Sequence, residues 1–409
     1  MQGADMKNNM YQNRRQFIKT GMTGLIGAGM HSHPLQSDEL ESRKTTYKKV
    51  YRQFGQTGIK LPVISMGAGD TNNPQLLTAA LDAGVVLLAT SPYYGNGRNE
   101  EIIGQVIQER KRDSYMIMTS VLPEGINHRE GLYTKAEDGP LLESRLDGSL
   151  KRLGLKEIDI CLLPFAARRE SVFFEPLLKA MENIKKKGKA RFVGIATHSW
   201  EEEAIRAAVE TKIYDMVMTA YNFRKQNLEA MNKAIKEAAR AGLGIVAMKT
   251  MAGAYWDKER KNPINSRAAL KWVLQNKNIH TAVPGVTTFD QLYQNMALMA
   301  DLKMTGKEKE DLKIGRLNKK EGLYCQQCRA CVAQCRYGLD IPTLMRSYMY
   351  AYGYKNLLRA KDTLASLNPT HIPCVNCAGC TVQCSMRFDV KRKVLDISRL
   401  QTVDRDLLI

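Results

Sequence analysis

Eight of the nine cysteines in this 409-residue chain fall into two sets with identical spacing. The stretches "YCQQCRACVAQCRYGLDIP" and "PCVNCAGCTVQCS" both follow the pattern C-x2-C-x2-C-x3-C. The sets are Cys325, Cys328, Cys331 and Cys335, and then Cys374, Cys377, Cys380 and Cys384. Such a repeat constrains the fold more than any other feature, because each segment must bring its thiols together around a common centre.

This spacing is the one with which bacterial ferredoxins bind [4Fe–4S] clusters, three thiolates on one cluster and the fourth on the other. Two motifs therefore predict two clusters. We expect the first three cysteines of each motif to share a cluster with the fourth cysteine of the other motif, which gives the sets Cys325, Cys328, Cys331, Cys384 and Cys374, Cys377, Cys380, Cys335. Apolar residues between the motifs recur at helical spacing. This predicts an α-helical ferredoxin-like domain.

Two other roles for these cysteines are less compatible with the pattern. A structural zinc ion needs four ligands, usually as two C-x-x-C pairs, and leaves the third and fourth cysteines of each motif poorly explained. Disulfides are disfavoured because cysteines three residues apart rarely reach bridging geometry, and a chain of this length can bury a core without them. The ninth cysteine, Cys161, lies in the apolar run "IDICLLP" and is predicted to be a buried apolar residue.

The first thirty residues resemble a twin-arginine export signal. Arg14 and Arg15 precede "QFIK" and a glycine-rich apolar run over residues 21–30. That run is too short to span a bilayer, and no later segment offers about 20 apolar residues, so we expect no stable membrane span. The resemblance implies the twin-arginine export machinery as a partner and a periplasmic or otherwise exported location. It also fits a protein that carries pre-assembled clusters, because that pathway moves folded proteins.

The chain is strongly basic, with a formal net charge of +19. Residues 311–409 hold 16 Lys and Arg against 8 Asp and Glu, so much of the excess surrounds the cysteine motifs. It partly compensates the negative charge of thiolate-bound clusters, and a docking face for an acidic redox partner is the alternative. No motif supports nucleic-acid binding.

Between Tyr51 and about Leu302, eight short apolar or β-branched runs alternate with helical patterns. The runs are "VISMGAG", "VVLLAT", "YMIMTS", "DICLLP", "RFVGIAT", "MVMTAY", "GIVAMK" and "HTAVPGV". Eight βα units predict an α/β fold of the (β/α)8 barrel type, with chemistry at the C-terminal ends of the strands.

Several of these segments resemble the aldo-keto reductases in order along the chain. They are "YRQFGQTGIKLPVISMG", "SLKRLGLKEIDICLL", "GKARFVGIATHS" and "PGVTTFDQLYQN". The resemblance implies a (β/α)8 barrel of the aldo-keto reductase type, and the cysteine motifs add a C-terminal ferredoxin-like domain. We therefore expect a signal segment at residues 1–37, a linker at 38–50, the barrel at 51–310 and the iron–sulfur domain at 311–409.

Most of the catalytic residues that the resemblance implies are missing. The family transfers hydride to a carbonyl with a tyrosine acid, helped by a lysine, an aspartate and a histidine. The motif "ATSPYYG" places Tyr94 at the tyrosine, but Ala89, Ser120 and Pro164 stand where the other three belong. A tyrosine with a pKa near 10 needs a neighbouring cation to donate its proton at neutral pH.

The nicotinamide site is also altered relative to the family. Gly285, Val286 and Gln291 replace the residues that often grip the 2′-phosphate of NADPH, whereas Asn295 is kept as a candidate cofactor contact. Lost charge-assisted contacts predict poor NADPH affinity. Other candidates at the barrel mouth, for a substrate, are Tyr93, Ser120, His198, Asn222 and Lys249.

The sequence thus favours an exported iron–sulfur oxidoreductase whose clusters pass electrons to or from a ligand at the barrel mouth. Its partner would be a redox protein or a small molecule. Two alternatives stay open at this point. One is an NAD(P)H-dependent carbonyl reductase with a rebuilt active site, and the other is a non-catalytic binding or electron-relay subunit.

Overall fold

The computed structural model of the protein describes residues 49–317, 321–367 and 372–408, all within one compact unit, Tyr47–Ile409. The predicted signal segment at residues 1–37, with Arg14 and Arg15, lies outside the described residues, as does most of the predicted linker at 38–50. Within the described ranges, no helix is long and apolar enough to cross a membrane.

Eight parallel strands form the barrel that the sequence predicts. Two strands of an N-terminal hairpin precede them, β1 (Tyr51–Gln53) and β2 (Lys60–Pro62), and a second hairpin, β6 (Ile126–Asn127) and β7 (Leu132–Tyr133), follows the third barrel strand. The barrel strands are β3 (Met66–Gly67), β4 (Leu87–Ala89), β5 (Met116–Ser120), β8 (Ile158–Pro164), β9 (Ala190–Thr197), β10 (Met216–Ala220), β11 (Gly244–Met248) and β12 (Thr281–Ala282).

The strands are hydrogen-bonded in the order β12, β11, β10, β9, β8, β5, β4 and β3. Parallel bridges between Ile64 and Ala282 and between Gly67 and Gly285 then join the two ends. Each of the eight predicted runs overlaps one barrel strand, which confirms the fold class. Most strand residues are buried on both faces, as expected for a parallel sheet covered by helices.

Helices surround the barrel and connect its strands. They are α1 (Pro74–Asp82), α2 (Arg98–Ile107), α3 (Asp138–Leu153), α4 (Arg169–Val172), α5 (Glu175–Lys186), α6 (Glu201–Thr211), α7 (Leu228–Arg240), α8 (Ser266–Gln275), α9 (Phe289–Leu298) and α10 (Gly306–Leu317). Several begin with an ordinary capping signal; at α1, for example, the Asn73 side chain accepts from the backbone N–H groups of Gln75 and Leu76.

The barrel interior is filled with side chains at its N-terminal end. Methionines and branched residues of the strands, such as Met118, Ile160 and Val246, form a fully buried cluster with Phe54 from the first hairpin. The Phe54 ring lies so close to Gly244 that a Cβ there would meet it at 2.5 Å. The hairpin therefore closes the bottom of the barrel and leaves the C-terminal end for a site.

The C-terminal region is helical, as predicted, and packs directly on the barrel. It contains α11 (Ala330–Gln334), α12 (Ile341–Tyr348) continued by a π-helical turn (Met349–Gly353), α13 (Leu357–Ala365) and α14 (Val390–Ser398). A shared apolar cluster joins it to the loops that follow β10 and β11, with Phe223 and Trp256 beside Tyr348 and Ile397. The predicted domain boundary at residues 310 and 311 falls inside α10.

Candidate active site and cysteine clusters

A cavity of about 420 Å³ lies at the C-terminal ends of the barrel strands, where barrels of this kind place their chemistry. Six of the residues predicted from the sequence line it: Tyr93, Tyr94, Ser120, His198, Lys249 and Asn295. Ala89 and Pro164, which replace two members of the family's catalytic set, line it as well.

Asn222 lies elsewhere. It is fully buried, donates from Nδ2 to the Lys249 carbonyl oxygen at 3.1 Å and accepts the backbone N–H of Arg224. It is not among the residues that line the cavity. Its side chain therefore fixes the backbone of Lys249, which has a φ of 58°, and is not a substrate contact in this structure.

The far wall of the cavity comes from the C-terminal region. Arg346, Tyr350, Gly353, Tyr354, Arg359 and Thr363 all line it, and they all lie between the two cysteine motifs. The C-terminal segment can form this wall because its backbone at Gly353 lies very close to the barrel loop at Gly253. A Cβ on Gly353 would meet the Gly253 carbonyl oxygen at 2.6 Å. The barrel mouth is thus completed by the segment that links the two cysteine sets.

Tyr94 lies between the barrel and this wall. Its ring packs on Gly69, where a Cβ would meet it at 2.6 Å, and the Arg359 guanidinium lies 4.5 Å from its centroid on another side. Arg359 Nη2 also donates to the Tyr94 hydroxyl at 3.1 Å. Burial nevertheless outweighs this nearby cation and raises the pKa of Tyr94 above its ordinary value.

Asp70 fixes Arg359 in place. Arg359 Nη1 donates to Asp70 Oδ1 at 2.9 Å, and Asn356 Nδ2 donates to the same oxygen at 2.8 Å. Burial opposes ionisation of Asp70, but Arg359 outweighs it, so the pKa of the carboxyl group is lowered. Asp70 is therefore a carboxylate that orients the guanidinium.

The Tyr350 hydroxyl lies beside two cations in the cavity. Lys249 Nζ donates to it at 2.6 Å, and Arg359 lies 4.3 Å from its ring centroid. Burial raises the pKa of Tyr350, but Arg359, Lys249 and Arg346 together lower it to about 8. A phenol with this pKa can exchange a proton near neutral pH, which Tyr94 cannot do as readily.

Two other predicted residues have different environments. Ser120 forms a 2.6 Å hydrogen bond with Ser91, so the position at which the family has a lysine carries a neutral pair. Burial, followed by Lys249 and Arg346, lowers the pKa of His198 well below its ordinary value. His198 is therefore a neutral imidazole that can donate or accept a hydrogen bond.

The sequence analysis missed Asp70, Arg346, Tyr350 and Arg359. Nothing in the chain order indicates that residues 346–359 return to the barrel mouth. The one available signal was the run "SYMYAYGYKN", whose four tyrosines at alternate positions are unusual for a plain amphipathic helix. In the structure this run contains the π-helical turn, a feature that often marks functional sites.

The cysteines group as the crossed ferredoxin pattern predicts. Burial is the largest cause that raises the pKa of Cys325, and the nearby thiols of Cys331, Cys384 and Cys328 raise it further. Burial is also the largest cause that raises the pKa of Cys374, and the nearby thiols there are Cys335, Cys380 and Cys377. Each group thus contains the fourth cysteine of the other motif.

Among the described residues, no three His, Cys, Asp or Glu side chains come together closely enough to hold a single metal ion. Backbone N–H groups of Gln327 and Met386 point at the sulfurs of Cys325 and Cys384, each at 3.4 Å, and such contacts tune bound clusters.

The two cysteine groups have different surroundings. The first lies against the barrel, where Gln326 accepts from the backbone N–H of Gln226 at 2.6 Å and Arg329 lies 4.7 Å from the Trp200 ring centroid. The second lines a small cavity with Arg336 and Lys391. Each group has one exposed cysteine, Cys328 in the first and Cys380 in the second.

Comparisons with known proteins agree with this architecture. Residues 69–268 match the Aldo/keto reductase family, and residues 324–389 match a 4Fe-4S dicluster domain. The chain is 25% identical to a D-threo-aldose 1-dehydrogenase of Pseudomonas sp over 222 residues, 46% of this chain and 66% of that protein. It is 28% identical to the aldo-keto reductase YhdN of Bacillus subtilis over 192 residues, 44% of this chain and 56% of that protein.

The chain therefore spans less than two thirds of the length of either relative. Among solved structures, the holo form of the aldo-keto reductase AKR11C1 from Bacillus halodurans matches with a TM-score of 0.54 and 18% identity, over 66% of this chain and 96% of that one. This last likeness shows the barrel fold alone. One part of the chain is thus similar to the aldo-keto reductases and another part to 4Fe-4S dicluster domains.

Proposed function

We propose that the protein is an exported iron–sulfur oxidoreductase whose two [4Fe–4S] clusters pass electrons to or from a small molecule bound in the barrel cavity. One observation carries this proposal. The segment between the two cysteine motifs supplies Arg346, Tyr350 and Arg359 to the cavity wall. A ligand in the cavity would therefore contact the same structural unit that holds the cysteines.

The surroundings of the first cysteine group support this proposal. Arg329 is close enough to Cys331, Cys325 and Arg346 for each of them to affect its pKa. Arg346 lines the cavity, so the first group and the cavity share charged neighbours. The exposed Cys380 of the second group offers a place where a redox partner protein can dock.

The residues of this chain have distinct roles in the proposal. When bound, the clusters supply one-electron transfer, with Cys325, Cys328, Cys331 and Cys384 as ligands of one and Cys335, Cys374, Cys377 and Cys380 as ligands of the other. Asp70 holds Arg359, and Arg359 and Lys249 keep the Tyr350 proton labile. Tyr350 can therefore give or take the proton that accompanies a change of charge on the ligand.

A carbonyl reductase with a rebuilt active site is the second candidate, and Tyr350 is the observation that favours it. A tyrosine beside a lysine is what hydride reduction of a carbonyl requires of its acid. In this alternative, Tyr350 and Lys249 would replace the family's missing helpers, with Tyr94 as a substrate contact.

The two candidates differ in their need for NADPH. Gly285 and Gln291 line the cavity, Gln291 Oε1 accepts from Thr287, and Val286 is buried in the barrel core. None of these groups can pair with a 2′-phosphate charge, so we expect weak NADPH binding, with Asn295 as a remaining contact. The relatives are named as reductases and dehydrogenases, so the comparisons do not support weak NADPH binding. It stays a prediction.

The deciding experiment is anaerobic purification followed by iron analysis and absorbance spectra before and after addition of dithionite or NADPH. The relay predicts about eight irons per chain, bleaching by dithionite and none by NADPH. NADPH oxidation that depends on an aldehyde and disappears in Tyr350→Phe would establish the reductase instead. Zinc in place of iron would eliminate the relay.

A further inference from the structure

Of the Asp, Glu, Lys and Arg side chains that line the barrel cavity, four are cations and one is a carboxylate. Lys249, Arg260, Arg346 and Arg359 all line it, and Asp70 is the one carboxylate among the described lining residues. Asp70 is already engaged by Arg359 and Asn356. The charged side chains that line the cavity therefore have a net positive charge.

Two of these cations have no carboxylate partner in the part of the chain that is described. No Asp or Glu oxygen there lies within 4.0 Å of Lys249 Nζ or of the Arg346 guanidinium. Arg346 is 8% exposed, and its contacts are the Thr343 hydroxyl at 3.3 Å and the Phe165 ring at 5.5 Å. A buried guanidinium without an anionic partner destabilises the protein unless a bound anion compensates its charge.

Unsatisfied donors point to the same conclusion. The Arg359 Nε and Arg260 Nη1 atoms are buried without a hydrogen-bond partner among the described residues. Buried polar groups are nearly always paired, so those that are not call for a ligand or water. Arginine donors in a fixed planar arrangement match a carboxylate especially well.

The cations come from both sides of the cavity and converge. Lys249 and Arg346 lie close enough to His198 that each lowers its pKa. Phe165 contacts both Arg346 and His198, with its ring centroid 5.8 Å from that of His198. An anion between Lys249 and Arg346 would therefore also meet the neutral imidazole of His198.

We propose that the cavity binds a small organic carboxylate, held between Lys249 from the barrel and Arg346 from the cluster-bearing segment. This inference rests on the proposed function, since it names the class of ligand that the clusters serve. In this proposal, the carboxylate site needs both the barrel and the cluster-bearing segment. The volume, about 420 Å³, suits a small molecule.

Isothermal titration of the anaerobically purified, oxidised protein tests this with pyruvate, succinate and gluconate. Glucose is the neutral counterpart of gluconate, and inorganic phosphate is the anion that lacks a carboxylate. We expect at least one carboxylate to bind, gluconate to bind more tightly than glucose, and added salt to weaken binding. Failure of all three carboxylates, or binding of phosphate alone, would overturn the proposal.

Variants locate the site. Arg346→Gln should weaken carboxylate binding by about tenfold or more, as loss of a charge-assisted hydrogen bond predicts, and Arg346→Lys should retain part of the affinity. Arg392→Gln removes an exposed charge on α14 and should bind like the parent. Iron content and circular dichroism check that each variant is folded. Unchanged affinity in both Arg346→Gln and Lys249→Met would also overturn the proposal.

This titration is independent of electron transfer. Carboxylate binding in a protein whose clusters neither reduce the bound carboxylate nor are reduced by it would refute the relay and leave this inference standing. Clusters that exchange electrons with a neutral ligand, with no carboxylate bound, would refute the inference and leave the relay.

Discussion

The lowered pKa of Tyr350 can be tested by removing one of the cations that cause it. Lys249→Met keeps a side chain of similar length and deletes the ammonium group that donates to the Tyr350 hydroxyl at 2.6 Å. No carboxylate within 4.0 Å in the described chain depends on this ammonium. The positive φ of residue 249 strains methionine no more than lysine.

The size of the expected shift follows from that hydrogen bond. A hydrogen bond to a charged group contributes about 1.5–3 kcal/mol, and one pKa unit corresponds to about 1.36 kcal/mol. Removing Lys249 should therefore raise the pKa of Tyr350 from about 8 by about one to two units. Arg359 would still lower it, against the burial that raises it.

The assay is a pH titration of tyrosinate absorbance in the near ultraviolet, recorded as the difference between each protein and its Tyr350→Phe counterpart. The subtraction isolates one tyrosine among 17. For the parent protein, the difference spectrum should show ionisation of Tyr350 near pH 8. For Lys249→Met, it should show ionisation near pH 9 to 10. A parent difference that appears above pH 10 alone would refute the reasoning, because it would mean that burial outweighs the three cations.

The same shift should appear in stability. A tyrosine whose pKa is lower when folded stabilises the protein above the unfolded pKa, near 10, and this contribution is lost as pH falls through about 8. The difference in melting temperature between the parent and Tyr350→Phe should therefore increase in favour of the parent as the pH rises from 8 to 10. Below pH 8, Tyr350 should contribute no pH-dependent stability.

The remaining predictions concern the clusters, the cofactor and export. Cys384→Ser should disturb the cluster held mainly by the first motif, seen as a change in one of two reduced-cluster spectra at low temperature; a change confined to the other cluster would contradict the crossed arrangement. NADPH should not bind tightly in a fluorescence titration, and Tyr94→Phe should leave reduction by dithionite unchanged. Micromolar NADPH binding, with aldehyde turnover that Tyr94→Phe abolishes, would contradict this. Changing Arg14 and Arg15 to lysine should retain the protein in the cytoplasm with clusters intact, and periplasmic recovery of that variant would rule out a twin-arginine signal.

The barrel was predictable because its signal is local and repeated. Each run of β-branched and apolar residues indicates a buried strand, and eight of them in alternation with helical patterns leave few topologies. The crossed cysteine groups were predictable for a similar reason, since the spacing within each motif already reflects how the thiolates share two clusters. Both predictions depend on short stretches of chain.

The cavity wall was not predictable because it depends on packing between distant segments. Arg359 reaches Asp70 across 289 positions and Tyr94 across 265. No local pattern in residues 346–359 distinguishes a side chain that faces the barrel from one that faces its own helical domain. Asn222 was predicted to line the barrel mouth because it follows a strand end. In the structure its side-chain amide forms hydrogen bonds with buried backbone groups instead.

This packing brings Tyr350, a phenol with a lowered pKa, to a barrel that lacks most of the catalytic residues of the family it resembles. Ala89, Ser120 and Pro164 supply neither a cation nor a carboxylate, so these three positions do not lower the pKa of a tyrosine at the barrel mouth. The docked segment supplies the tyrosine, Tyr350, together with Arg359, and the barrel contributes Lys249. Because Tyr350 and the cations around it come from both sides, we expect the lowered pKa of Tyr350 to depend on the packing of residues 346–359 against the barrel.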